Sequence, residues 1–213
     1  MADLNEIALM VQKGNFKEVE RLTQEALDEG LSAQEILDGS LIAGMNVIGE
    51  RFKKNEIYVP EVLLAARAMK AGMALLKPIL ADTGAEPVGR VVLGTVKGDQ
   101  HDIGKNLVGM MLEGAGFEVF DVGVDTPSEK FVEAAREKKA DIVAISALLT
   151  TTMPHMKTTI EALKSAGLAV KTMVGGAPVT QRFADEIKAD GYGRDGALAV
   201  EKAKGLLGKK SRP

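Results

Sequence analysis

The architecture is read from Arg90–Val96 (RVVLGTV) and the ten residues that follow it, Lys97–Asn106 (KGDQHDIGKN). The first seven residues are a short β-rich run, suited to a strand buried on both faces. Gly98 breaks the run, and the chain then enters a helix near Ile103. The same rhythm returns at Glu118–Val122, Asp141–Ser146 and Ala169–Val174, each followed by a segment of helical character. The helix after the second strand is expected to open at Thr126-Pro127-Ser128-Glu129, a capping box with proline in the first position. A last weak strand is expected before Gly191, with a helix from Ala197 to Leu207. Strands alternating with helices predict an α/β, flavodoxin/Rossmann-like parallel sheet with helices on both faces. Ligands in such sheets bind beyond the carboxyl ends of the strands.

Upstream the pattern is all helical. Asn15 with Glu18, and Ser32 with Glu35, have capping-box spacing. Leu37, Leu41, Met45 and Ile48 form a helical stripe, and Pro60 suits the first turn of a helix running through Val62, Ala66, Met69 and Met73. Turns near Gly14, Gly30 and Asn55 divide this region into a four-helix bundle. The expected domains are therefore residues 1–85, a helical bundle, and 90–213, the α/β part, joined through Asp82–Pro87.

Three loops after predicted strands are chemically unusual. In the first, Asp99 and His101 are two residues apart and can point to one side of an extended stretch. A carboxylate that holds the proton of one imidazole nitrogen frees the other to bind a metal. Gly104 admits a bulky neighbour at the helix start. The second loop, Ser146 to Pro154, offers the hydroxyls of Ser146, Thr150, Thr151 and Thr152. The third, Val174-Gly175-Gly176-Ala177-Pro178, has paired glycines that leave room for a ligand against the backbone. Taken singly each is ordinary turn chemistry; together they fall on one edge of one predicted sheet.

Composition narrows the chemistry. The chain has 213 residues and no cysteine, which excludes thiolate zinc sites, iron–sulfur clusters and cysteine nucleophiles. His101 and His155 are the only histidines. The net charge of −3, with both signs interspersed, gives no nucleic-acid or membrane footprint. The one basic cluster, Lys209, Lys210 and Arg212, reads as a solvated tail. Met1–Asp3 begins acidic and then turns amphipathic, unlike a signal peptide, and no apolar run approaches the roughly 20 residues of a membrane span. A cytoplasmic location is expected.

Asp99-x-His101-x-x-Gly104, then 41 residues, Ser146-x-Leu148, then 26 residues, Gly175-Gly176, resembles the cobalamin-binding signature of methionine synthase and corrinoid-dependent mutases. Gly44–Phe52 (GMNVIGERF) with Tyr58–Val62 (YVPEV) is similar to the helical cap of methionine synthase, shared by corrinoid proteins of methanol, methylamine, betaine and aryl methyl ether methyltransferase systems. The resemblance covers nearly the whole chain. It implies a cobalamin or related corrinoid, with His101 as lower axial cobalt ligand, Asp99 hydrogen-bonded to it and Thr152 extending the relay. Gln100, Asp102, Ile103 and Gly104 would flank the ligand. Ser146, Leu148, Thr150, Gly175, Gly176 and Ala177 would line a slot for the displaced nucleotide tail, closed by Tyr192 and Gly193. Phe52 and Val59 would shield the upper face, although methionine synthase has leucine at the position of Val59. Gly89 and Asp82–Pro87 would form the hinge of a moving lid.

The activity implied is a methyl carrier whose cobalt cycles between Co(I) and methyl-Co(III). A substrate barrel alone takes about 250 residues, so the chain would act only with partners. These are a substrate:corrinoid methyltransferase, a methylcorrinoid methyltransferase using tetrahydrofolate or coenzyme M, and a reductive activator. Alternatives are a mutase subunit, which lacks the Phe52–Val59 element, and a cobalamin-sensing regulator, for which no basic recognition helix precedes the bundle. A phosphate-binding loop would need four residues between Gly98 and Gly104, where five stand. A metal hydrolase would have to be built from Asp99, His101, Asp102 and His155.

Overall fold

The computed structural model describes residues 3–84 and 86–208; the basic tail and the extreme amino end lie outside the described residues. Backbone contacts divide the chain into a unit running to Glu86, with the Gly114–Gly116 turn grouped with it, and a second unit from Pro87 onward.

The first unit is helical throughout. It contains α1 (Leu4–Gln12), α2 (Phe16–Asp28), α3 (Ala33–Ile36), α4 (Ala43–Lys53) and α5 (Val59–Asp82). Helices α3 and α4 are joined without a break by a π-helical stretch, Leu37–Ile42. There the fully buried Ser40 hydroxyl donates to Ile36 O at 2.5 Å, a back-bond that competes with the helical ladder. The expected Ser32–Glu35 capping box forms in both directions, 3.0 Å from Ser32 N–H to the Glu35 carboxylate and 3.2 Å from Glu35 N–H to Ser32 Oγ. Asn15 caps α2 by accepting from Glu18 N–H at 3.3 Å, but Glu18 turns its carboxylate to Arg21 instead of reciprocating. Of the predicted stripe, Leu41, Met45 and Ile48 are buried with Ile7, Val11, Val62 and Leu76, whereas Leu37 is only half-buried and its neighbour Ile36 takes the core position.

The second unit is a parallel five-stranded sheet. Its strands are β1 (Arg90–Val96), β2 (Glu118–Thr126), β3 (Ile142–Ser146), β4 (Lys171–Gly175) and β5 (Gly191–Gly193), in the order β2-β1-β3-β4-β5. The intervening helices are α6 (Ile103–Gly114), α7 (Ser128–Glu137), α8 (Pro154–Ser165) and α9 (Gln181–Glu186), and α10 (Gly196–Leu206) ends the unit. Every residue of β1 from Val91 to Val96 is buried, as a central strand covered on both faces requires. Phe131 of α7 and Met156 and Ile160 of α8 pack on Val92, Val143 and Ile145. The chain leaves β1 toward one side of the sheet and β3 toward the other, so the gap between them is the topological switch point.

Several sequence expectations shift here. β2 continues four residues past Val122, β4 starts at Lys171 rather than Ala169, and β5 lies on Gly191–Gly193 rather than before it. The Thr126 capping box does not form. Thr126 is still strand, and its hydroxyl lies 3.3 Å from Val122 O and from Val124 O, while Pro127 precedes α7 without a side-chain cap. The cause is irregular pairing: β2 slips register against β1 after Leu93 and again after Gly94, with Gly123 at φ 93° and Asp125 at φ 48°. Gly89 lies at the sheet's margin. Its carbonyl accepts Glu118 N–H at 3.0 Å, and a Cβ there would stand 2.4 Å from Leu207 Cδ1.

Candidate functional site

The loop after β1 leaves through a turn closed by Asp99 N–H to Val96 O (3.1 Å), with Gly98 at φ 82° in the left-handed region that glycine tolerates. This turn drives the Asp99 side chain inward, where it is completely buried. Buried charge persists only when fully partnered. Asp99 Oδ1 accepts His101 Nδ1–H at 2.7 Å and His101 N–H at 3.1 Å. Asp99 Oδ2 accepts Leu148 N–H at 2.8 Å, Leu149 N–H at 3.2 Å and the Thr152 hydroxyl at 2.8 Å. Burial by itself would raise this carboxyl. The bonds from the His101 ring, Leu148 N–H, Thr152 and His101 N–H outweigh it and hold Asp99 well below the usual carboxylate range.

That sets the state of His101. An ionised Asp99 only accepts, so the bond to Nδ1 carries its proton on the ring nitrogen. In the neutral ring, Nε2 then presents a lone pair. The side chain is 49% exposed, so the lone pair has access from outside. The loop that carries His101 and the loop whose amides hold Asp99 also bear aliphatic side chains that the fold leaves uncovered: Ile103 is 81% exposed, Leu148 41% and Leu149 41%. Gly104, one residue into α6, has nothing within 4 Å of the position a Cβ would take. An outward imidazole lone pair beside open, apolar surface fits a large flat cofactor with a metal at its centre.

The other predicted residues fall along the same edge. Thr95, Ser146, Gly175 and Gly193 are aligned across β1, β3, β4 and β5, and Tyr192 is in register with Val174. Leu148 and Thr150 lie in the loop after β3, Ala177 in the loop after β4, and Gln100 and Asp102 flank His101. Asp102 opens α6, its carbonyl and carboxylate accepting from Asn106 at 2.7 Å and 3.1 Å. Phe52 on α4 and Val59 at the start of α5 belong to the helical unit and are both half-buried.

The glycines need a different account from the one their sequence suggests. At Gly176 (φ 128°) a Cβ would stand 1.9 Å from Ala147 O, and at Gly175 it would stand 2.8 Å from Gly193 O. The place each missing Cβ would take is occupied by the protein's own backbone, so these glycines let neighbouring strand ends close up. Helix α8 starts at Pro154 behind Met153 with no side-chain cap, so the nearby Thr152 is not used at the helix end. Its hydroxyl goes to Asp99.

Two competing readings lose support. Among the described residues no group of three or more His, Cys, Asp or Glu side chains is placed to hold a metal, and His155 is simply in the first turn of α8. The Gly98 amide that a phosphate loop would offer an anion already donates to Asp125 Oδ1 at 2.6 Å. Asp125 was not legible in the sequence as a site residue, nor were the Leu148 and Leu149 amides. Main-chain donors have no residue signature, and Asp125 lies in a stretch that reads as the approach to a helix.

Thr152 gives a first test. Thr152→Val removes one of five donors from a buried carboxylate and should cost about 1.5–3 kcal/mol in urea unfolding, while Thr152→Ser should stay near wild type. A silent Thr152→Val would mean that the bond contributes nothing.

Fold and edge site define a doubly wound α/β ligand-binding protein with a helical amino-terminal unit. The chain belongs to the B12-binding family: one B12 binding domain model matches residues 89–201, and a second matches residues 3–77. It is 44% identical to a corrinoid protein of Desulfitobacterium hafniense (strain Y51), over 98% of this chain and 99% of that one. It is 49% identical to the dimethylamine corrinoid protein of Methanosarcina barkeri, over 83% of this chain and 84% of that one. The solved methanol:cobalamin methyltransferase complex MtaBC from Methanosarcina barkeri contains a chain that superposes with a TM-score of 0.85 at 31% identity, covering 96% of this chain and 80% of that one.

Proposed function

We propose that this protein is a corrinoid methyl carrier of a methyltransferase system, with His101 as the protein ligand to cobalt. The observation that carries this reading is the half-exposed imidazole whose Nδ1 is engaged by a buried, ionised Asp99. A metal held by one imidazole must arrive with its other ligands in place, as cobalt does in a corrin. The bound corrinoid supplies methyl transfer at cobalt; the chain supplies everything else. Asp99 fixes the ring's tautomer and raises the basicity of Nε2. Thr152 and the Leu148 and Leu149 amides keep Asp99 ionised, so the ring's proton stays on Nδ1. Ile103, Leu148 and Leu149 offer dry contact to a macrocycle, and Gly104 keeps the approach open.

In this reading residues 1–85 are the cap, in which Phe52 and Val59 shield the methyl group from water. Residues 90–213 hold the cofactor, with Gln100, Asp102, Ser146, Thr150, Gly175, Gly176, Ala177, Tyr192 and Gly193 along the nucleotide tail. The partners are a substrate:corrinoid methyltransferase, a methylcorrinoid methyltransferase using tetrahydrofolate or coenzyme M, and a reductive activator, in the cytoplasm. No helix among the described residues is long and apolar enough to cross a membrane.

The test is direct. Purified protein mixed with hydroxocobalamin and desalted should stay red at one cofactor per chain, with an absorption spectrum showing the nucleotide base displaced and a protein nitrogen in its place. A colourless eluate would remove the proposal.

A further inference from the structure

The loop that carries Asp99 and His101 is gripped from outside by the edge strand β2. Asp125 does this at two points at once. Its Oδ1 accepts Gly98 N–H at 2.6 Å, and its own N–H donates to Asp99 O at 2.9 Å. The two bonds bracket the Gly98–Asp99 step, the step that turns the Asp99 side chain inward. Asp125 pays for this grip with backbone strain: it sits at φ 48°, where side-chain-bearing residues are uncommon and Asp and Asn are the better tolerated ones. The sheet ladder cannot do the same work. β2 pairs Gly123 with Gly94 and Thr126 with Val96, and the slip between them leaves Asp125 out of register.

A second grip lies at the far end of the loop. Lys105, 3% exposed in the first turn of α6, is ion-paired with Asp121 of β2 and donates to Asn106 Oδ1 at 2.7 Å. Asn106 in turn donates to Asp102 Oδ2 at 3.1 Å, next to His101. Both anchors therefore come from β2, four residues apart: Asp121 at the last regular pair with β1 and Asp125 in the slipped stretch beyond it.

The geometry points to Asp125 as a positioning residue: it sets the aim of the His101 ligand by clasping the Gly98–Asp99 turn, and Lys105 with Asp121 holds the other end. Asp125 touches neither the imidazole nor a cofactor; it acts through the turn. This inference rests on the corrinoid-carrier reading for its consequence, although the clasp itself can be seen without cofactor.

The experiment compares wild type with Asp125→Ala, Asp125→Gly and Asp125→Asn as full chains. Glycine relieves the left-handed backbone but deletes the acceptor, whereas asparagine keeps both an acceptor and tolerance of φ 48°. Amide hydrogen exchange on cofactor-free protein reads the clasp. Gly98 N–H should exchange faster in the Ala and Gly variants and stay protected in Asn. Hydroxocobalamin titration and the electron paramagnetic resonance spectrum of the reduced Co(II) form read the aim. Ala and Gly should bind about tenfold more weakly and lose much of the nitrogen splitting from the axial imidazole, with Asn restoring both.

Protected Gly98 in the Gly variant, or wild-type nitrogen splitting in it, would overturn the proposal. Equal loss in Asn and Gly would overturn it as well, since the acceptor would then not matter. Wild-type protein that ignores hydroxocobalamin would sink the carrier reading, while the exchange data would still decide the clasp.

Discussion

His101→Ala should give a folded protein that no longer places a nitrogen on cobalt. Structure and ligation separate at this residue because of how Asp99 is satisfied. Removing the ring deletes one donor from the buried carboxylate and leaves four: His101 N–H, Leu148 N–H, Leu149 N–H and the Thr152 hydroxyl. A half-exposed side chain contributes little packing and water can take over its donation to Asp99, so the unfolding free energy should fall by less than for the buried Thr152 hydroxyl, by about 1 kcal/mol or less. Ligation should change completely. The nitrogen splitting in the Co(II) spectrum should vanish, and hydroxocobalamin should bind at least about tenfold more weakly, the equivalent of about 1.4 kcal/mol. Added imidazole should restore the nitrogen signal by filling the place of the lost ring. A His101→Ala protein with wild-type spectrum and affinity would show that the ligand lies elsewhere.

That separation is partly legible in the sequence alone. The alternation from Arg90 onward gave the parallel sheet, because buried parallel strands are continuous apolar runs whose ends are marked by glycine and polar residues. Asp99, His101 and Thr152 were identifiable because side-chain chemistry is written in residue type. Asp99 and Thr152 stand 53 positions apart, and the fold brings them to 2.8 Å. What stayed hidden is what the main chain does. The Leu148 and Leu149 amides, the bulged end of β2 and the left-handed Asp125 depend on backbone path. Thr126-Pro127-Ser128-Glu129 shows the failure at its plainest. The tetrapeptide has the composition of a helix start, but the strand before it runs on through Thr126, and tertiary pairing overrides the local preference.

The glycines separate two meanings of one residue, and two substitutions test them against each other. Gly176→Ala should be among the most damaging single changes in the α/β unit. Its Cβ would stand 1.9 Å from Ala147 O and 3.0 Å from Ala147 C, both backbone atoms that no rotamer change can move aside. The φ of 128° adds a conformational penalty for any side chain. To relieve the clash Ala147 must shift, and Ala147 leads directly into the Leu148 and Leu149 amides that hold Asp99. A loss of about 3–5 kcal/mol in urea unfolding is expected, with cobalamin uptake falling alongside it. Gly104→Ala should do the reverse. It lies in α6 with open space around its missing Cβ, so alanine should stabilise the cofactor-free protein by up to about 1 kcal/mol through helix propensity. If that open space is where the corrinoid approaches, the same methyl group should weaken hydroxocobalamin binding. Gly104→Ala that is more stable and also binds as well as wild type would place the cofactor away from the start of α6. Gly176→Ala that unfolds like wild type would mean that the β4 end is not closed on Ala147 as described.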